Sequence, residues 1–276
     1  MMHTTSAWTI NQEQTVQPTL SIQQLSKSFG TNTVIANVTL DVYPGEFVSI
    51  VGPSGVGKTT LLRCLSGLME PTAGSVKVNG NLVTEPPKEI AMVSQDYSRS
   101  LLPWMSVEKN AALPLLARGM AKKDAFEVVN EALRDVGLSA AGKKYPWQLS
   151  GGMQQRVSIA RGIAYRPDVL IMDEPFASVD AQTRLDLEDL IRGIHRQHSM
   201  TTVFVTHDID ESVYISDRVA ILGGPPAHVK QVLDIDLGAE RNQIETRSQP
   251  KFAEYRKQII SQIFTQNHPG TKAPTI

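Results

Sequence analysis

The sequence predicts an α/β fold with a mostly parallel core sheet, an antiparallel β part, and a helical subdomain inserted between sheet strands. Three observations carry that prediction. Phe47-Val48-Ser49-Ile50-Val51 and Val169-Leu170-Ile171-Met172 are short apolar runs of the kind that form strands buried on both faces. Strand-like and helix-like segments alternate over much of the chain, which is the pattern of parallel strands joined by crossover helices. Between Leu101 and Arg166 the alternation gives way to helical patterns, with caps and breaks at Pro103, Pro114, Gly119, Gly137 and Pro146.

The elements follow in order. Met1 to Pro18 is rich in Thr and Gln, lacks the apolar core of a secretory signal, and reads as a disordered lead-in over residues 1–18. Leu20, Ile22 and Leu25 suggest a first strand, and Val34–Val42 alternates as a half-buried one. Phe47–Val51 runs into a glycine loop and then a helix through Leu65. Gly74–Val78 alternates and ends in Asn79-Gly80, a hairpin-like signal, and Ile90–Ser94 reads as another strand. After the helical stretch of about 101–166, strands are expected at Val169–Met172, Thr202–Thr206 and Arg218–Leu222. Helices are expected at Ala181–Gln197 and Asp208–Ser216. The main domain is thus expected over 19–237, followed by a polar tail, 238–276, with a helix from Phe252 to Thr265.

Composition narrows the class. The 276 residues are 41% hydrophobic and 20% charged, as in ordinary globular proteins. Lys and Arg number 27 against 28 Asp and Glu, so no global basic field exists to hold nucleic acid. Cys64 stands alone and cannot form an internal disulfide, which fits a reducing compartment. No stretch reaches the roughly 20 apolar residues of a membrane span, so a membrane role would come through partners.

Gly52-Pro53-Ser54-Gly55-Val56-Gly57-Lys58-Thr59 matches the phosphate-binding P-loop pattern, with Thr60 next in the nucleotide-binding set. Its glycines let backbone N–H groups face a phosphate, and the following helix adds its positive N-terminal end. Lys58 can reach the β- and γ-phosphates of ATP, and the Thr59 hydroxyl can ligate Mg²⁺. Asp173-Glu174 emerges from an apolar strand at the sheet edge where ligands of open α/β sheets bind. Asp173 would hold Mg²⁺, and Glu174 would take the proton of the attacking water. Leu149-Ser150-Gly151-Gly152-Met153-Gln154-Gln155-Arg156 offers a hydroxyl, backbone donors and a helix N-terminus, a second anion-binding feature.

With these residues the chain resembles the ABC transporter ATPases, whose signature is LSGGQ; here Met153 replaces the first Gln. The resemblance covers roughly Leu20 to Leu237 and implies further roles. Gln95 matches the Q-loop glutamine that senses Mg²⁺ and the γ-phosphate region, and His207 matches the switch histidine. Ala177-Ser178-Val179-Asp180 matches the D-loop, with Val179 in place of the usual Leu and Asp180 placed near nucleotide. Phe29 stands where the family stacks an aromatic on adenine. Family geometry implies a head-to-tail cassette dimer, taken as a homodimer, with each ATP between one P-loop and the partner's Ser150-Gly151-Gly152.

Asp173 to Arg184, Leu61 to Leu68 and Leu102-Pro103-Trp104 are similar to the nitrate, sulfonate and taurine importer ATPases. That resemblance implies a bacterial uptake system with permease subunits in the inner membrane, this chain on its cytoplasmic face, and a periplasmic binding protein acting indirectly. Tyr97, Arg99 and Trp104 are expected to meet the permease, since Tyr, Trp and Arg dominate interface hot spots. The alternatives are an exporter cassette and a non-transport ABC ATPase of DNA repair or translation. The last class usually carries a long coiled-coil insertion or two cassettes in one chain, and neither pattern occurs in this sequence.

Overall fold

The computed structural model describes residues 16–96 and 100–264. The expectation of disorder over 1–18 falls mostly outside the described residues, as do Tyr97, Arg99 and the predicted helix end at Thr265. Ten strands and eight α-helices are described. The strands are β1 (Leu20–Phe29), β2 (Asn32–Val42), β3 (Phe47–Val51), β4 (Ala73–Val78), β5 (Asn81–Leu82), β6 (Ile90–Val93), β7 (Val169–Asp173), β8 (Thr201–Thr206), β9 (Arg218–Gly223) and β10 (His228–Asp234). The helices are α1 (Lys58–Leu65), α2 (Val107–Ala117), α3 (Lys122–Asp135), α4 (Gly151–Ala164), α5 (Ala181–His198), α6 (Ile209–Ile215), α7 (Gln243–Arg247) and α8 (Pro250–Phe264).

Six strands form one sheet in the order β10-β9-β3-β8-β7-β6. All are parallel except β10, which pairs antiparallel with β9. The other four, β2-β1-β4-β5, make an antiparallel sheet. Side chains of a strand point alternately to opposite faces, and that period sorts the interior into two cores. Val48, Ile50, Ile171, Val203 and Val205 face α1 and the antiparallel sheet, packing with Leu61, Leu62, Cys64, Leu20, Ile22 and Val38. Phe47, Val51, Leu170, Met172 and Phe204 face the remaining helices, packing with Val157, Leu187, Ile191 and Tyr214. The parallel strands are therefore buried on both faces, which is why they read as nearly unbroken apolar runs.

Helices α2, α3 and α4 pack on one another as a subdomain inserted between β6 and β7, which are nevertheless neighbours in the sheet. The buried amide of Asn110 shapes its entrance. Its nitrogen donates to the carbonyls of Leu102, Met105 and Ser106, and its oxygen accepts from the Leu102 N–H. The break expected at Pro114 does not occur, because α2 continues through it to Ala117. Proline in a helix interior removes one backbone bond, and here the burial of Ala111, Ala112 and Leu115 holds the last turn in place.

Two elements had no clear sequence signal. Strand β10, His228-Val229-Lys230-Gln231-Val232-Leu233-Asp234, is half-exposed and takes its place by pairing with β9. Helix α7 is a five-residue turn capped by Asn242, which accepts from the N–H groups of Ile244 and Glu245. The polar stretch after Gly238 is anchored to the sheet layer. Phe252 and Ile259 share a core with Leu233, Ile235 and Leu237. Arg241 donates to the carbonyls of Val213 and Tyr214, and Arg247 pairs with the buried Glu188 at 2.6 Å. Phe252→Ala should therefore cost about 3–5 kcal/mol of stability, the usual range for truncating a buried phenylalanine. Urea unfolding followed by circular dichroism measures it, and a change within error would show that α8 contributes little to the fold.

Candidate nucleotide site

Neighbouring parallel strands β3, β8 and β7 end on one edge of the sheet. The glycine loop, His207 and Asp173-Glu174 leave those three strands in turn, so residues scattered over 150 positions meet in space. The loop between β3 and α1 needs its glycines. Gly55 and Gly57 lie at φ +78° and +118°, where side chains are strongly disfavoured, and a Cβ on Gly57 would sit 3.1 Å from Val34 Cγ1. Ser54, Gly55 and Thr59 are exposed, Thr60 is half-buried, and Val56 is packed inward. The loop thus leaves Ser54, Gly55 and Thr59 accessible while Val56 anchors it.

Lys58 is 6% exposed at the first position of α1. Its ammonium donates to the carbonyls of Gly52 at 2.9 Å and Pro53 at 3.2 Å, and lies 3.6 Å from Glu174 Oε1. Burial pulls its pKa below the ordinary value for lysine, with Glu174 and then Asp173 opposing that shift. Asp173 is also buried, and burial together with the adjacent Glu174 raises its carboxyl above the usual carboxylate range, with Lys58 and Arg63 opposing. An edge holding two crowded carboxylates and a desolvated ammonium is suited to bringing a phosphate and a cation together.

Glu174 adopts φ +43°, an uncommon conformation for a residue other than glycine. Side chains alternate along a strand, so continued β structure would send Asp173 and Glu174 to opposite faces. The turn at Glu174, fixed by its N–H donating to Val205 O at 2.8 Å, keeps the second carboxylate at the sheet edge. There it meets His207, whose Nδ1 is 2.9 Å from Glu174 Oε2. His207 is held from both sides through its backbone neighbours. The Thr206 hydroxyl accepts from the Asp208 N–H, and Asp208 caps α6 by accepting from the N–H groups of Asp210 and Glu211. Its ring remains half-exposed.

The other candidates leave other strands and helices. Gln95 follows β6 and is exposed. Phe29 ends β1 with 48% of its surface exposed, beneath the Lys27 ammonium at 5.3 Å, so core packing does not account for it. Ser150 caps α4, its hydroxyl accepting from the Met153 N–H at 3.3 Å. Among the described residues, no hydrogen bond or ion pair joins Ser150, Gly151 or Gly152 to Lys58 or Glu174. Asp180 caps α5, accepting from the N–H of Thr183 at 3.0 Å and from its hydroxyl at 2.7 Å, and those bonds hold its carboxyl below the usual range. Trp104, 70% exposed, is not packing in the helical subdomain, whereas Leu101 is buried in it.

A polar layer lies behind His207 that no sequence motif marks. Glu211 is buried, accepts from the Thr206 hydroxyl at 2.7 Å and lies 3.5 Å from Arg184. A carboxylate one helical turn past His207 was the available signal, but nothing in the sequence marks it as buried. Burial pushes its pKa up to about 8, above an unfolded value of about 4.3. The folded state then binds the proton more tightly, so the stability from this group is full at low pH and is lost as pH rises toward 8. Glu211→Gln should flatten the fall in urea midpoint between pH 5 and pH 8.5, and an unchanged slope would assign the pH dependence elsewhere. For Phe29→Ala, base stacking of about 1–3 kcal/mol predicts ATP affinity lower by roughly 5- to 150-fold with folding unaffected. Equilibrium titration with ATP tests this, and unaltered affinity would remove Phe29 from the site.

Comparison with known proteins shows the family. Residues 35–177 match the family model described as ABC transporter. The chain is 41% identical over 232 residues to the aliphatic sulfonates import ATP-binding protein of Bacillus subtilis, covering 84% of this chain and 88% of that one. It is 40% identical over 235 residues to the nitrate import ATP-binding protein of Synechococcus elongatus, spanning 84% of this chain but only 35% of that longer protein. A solved ATP-binding cassette, dimeric in a post-hydrolysis state with ADP and phosphate, superposes with a TM-score of 0.68 at 29% identity, covering 78% of this chain and 98% of that one. A P-loop on β3, paired carboxylates on β7 and a Ser-Gly-Gly cap on an inserted helical subdomain, together with these matches, place the chain in the ABC transporter family as an ATP-binding cassette.

Proposed function

We propose that this cassette is the ATP-hydrolysing subunit of a bacterial importer for a small anion such as nitrate, a sulfonate or taurine. It would act as a dimer on the cytoplasmic face of the membrane, beneath permease subunits. The observation that carries the hydrolytic part is the convergence of Lys58, Asp173, Glu174 and His207 at one sheet edge. The importer assignment draws on the sulfonate and nitrate relatives. No helix among the described residues is long and apolar enough to cross a membrane, so a transport pathway would be supplied by partners.

Each residue has a role that follows from its surroundings. The loop N–H groups and Lys58 would cradle the phosphates, with the γ-phosphate drawing the ammonium away from Glu174. Released from Lys58, Glu174 keeps its bond to His207 and can accept the proton of a water attacking in line. His207 orients that carboxylate and, being half-exposed, can turn toward the γ-phosphate. Thr59, Asp173 and Gln95 offer only oxygen ligands, the donor set that suits Mg²⁺. Bound there, the ion would neutralise phosphate charge. Phe29 would stack on adenine. Ser150, Gly151 and Gly152 make no hydrogen bond or ion pair to Lys58 or Glu174 among the described residues, and the Ser150 hydroxyl instead caps α4, which supports their use on the partner's ATP. The exposed Trp104 would be available for a permease contact.

Glu174→Gln removes the proton acceptor and keeps its shape. A general base contributes typically 10²–10⁴-fold, so turnover should fall by that factor while ATP still binds and holds the dimer together. Phosphate release and size-exclusion chromatography with ATP measure the two effects. Turnover at the unmodified rate would remove Glu174 from this role.

A further inference from the structure

Gly152, the second glycine of the Ser150-Gly151-Gly152 cap, lies outside the left-handed region, so its backbone does not require glycine. What excludes a larger residue is one methyl group. A Cβ at Gly152 would lie 2.5 Å from Thr183 Cγ2, and the next nearest atoms, Thr183 Cβ and Oγ1, are at an ordinary 3.7 Å. The same Thr183 donates its hydroxyl to Asp180 Oδ2 at 2.7 Å and its N–H to Asp180 Oδ1 at 3.0 Å. One side chain therefore touches the signature cap with its methyl and holds the D-loop carboxylate with its hydroxyl.

The contact joins α5 to the helical subdomain near the N-terminal end of that helix, and polar contacts join them again at its other end. At its C-terminal end, His198 Nε2 lies 3.0 Å from Asp135 Oδ2, and Gln197 donates to Asp135 Oδ1 at 3.4 Å. An 18-residue helix is about 27 Å long, so the two contacts are widely spaced and oppose tilting of the subdomain against α5. The D-loop cap and the signature cap sit together at the other end.

We propose that Thr183 is a positioning residue that locks the D-loop to the signature turn of its own cassette, so that both reach the partner's nucleotide as one unit. This rests on the reading that Ser150-Gly151-Gly152 serves the partner's ATP. The close fit at Gly152 is what makes the arrangement specific: the cap and the D-loop are spaced by a methyl with no room to spare, and by a hydroxyl that no other side-chain type supplies with that methyl.

The test separates the two halves of the side chain in the purified protein. Gly152→Ala should lower kcat by roughly 100-fold, the cost of a displacement of about 1 Å at a reacting centre, with KM for ATP changed little and a lowered melting temperature. Adding Thr183→Ser removes the clashing methyl and keeps the hydroxyl, so the double variant should regain both kcat and melting temperature relative to Gly152→Ala alone. Thr183→Val keeps the methyl and loses the bond to Asp180, and should lower kcat while the monomer's ATP affinity stays within about twofold. A double variant as slow as Gly152→Ala, or Thr183→Val turning over at the unmodified rate, overturns the proposal. Ser150→Arg tests the underlying reading separately: it should abolish ATP-driven dimerisation and spare monomer binding. Intact dimerisation would sink the composite site while leaving the Gly152–Thr183 coupling in the melting temperatures visible.

Discussion

The site depends on three parallel strands ending in the same direction side by side. A parallel pair needs a crossover connection, so β3, β8 and β7 are adjacent in the sheet although distant in the chain. Each strand delivers the first residues of its following loop to the common edge. The glycine loop, the paired carboxylates and His207 meet there because the register of β3 with β8 and of β8 with β7 aligns their ends, Val51 with Thr206 and Asp173 with Val205. A slip of one residue would also exchange the two faces of the sheet and thereby both hydrophobic cores.

Charge at that edge is held under tension. Lys58 has lost water and gained two backbone carbonyls and a carboxylate at 3.6 Å, while Asp173 is crowded by Glu174. Buried charges are tolerated when paired and hydrogen-bonded, and breaking such a pair is costly. In the proposed role a phosphate would draw on Lys58 and a divalent cation on Asp173, leaving Glu174 paired with His207. Lys58, Glu174 and His207 are thus paired with one another at the edge.

The Ser150-Gly151-Gly152 cap is placed on a different part of the fold. Ser150 and its glycines stand on α4, in a subdomain that enters the fold between β6 and β7 and is held through packing and through α5. The P-loop edge and the Ser-Gly-Gly cap are thus connected by the sheet and by one long helix. The proposed sharing of each nucleotide between two copies draws on that separation.

Much of this was legible in the sequence because it is local. Hydrophobic period marked the parallel strands nearly to the residue, the spacing of Gly52, Gly57 and Lys58 marked the phosphate loop, and Ser150 and Asp180 each stood at a helix start. Strand β10 was not legible, because a half-exposed edge strand has no clear alternation of its own, and Pro114 misled because packing outweighed its missing N–H. The turn at Glu174, the burial of Glu211, and the contact of Thr183 with Gly152 were decided only by tertiary structure. Each joins residues whose neighbours in space are remote in the chain, and burial, the cause of the raised Glu211 pKa, is a property of that assembled surrounding. The sequence by itself determined which groups the protein carries and on which strand ends; the packed fold decided which of them face one another.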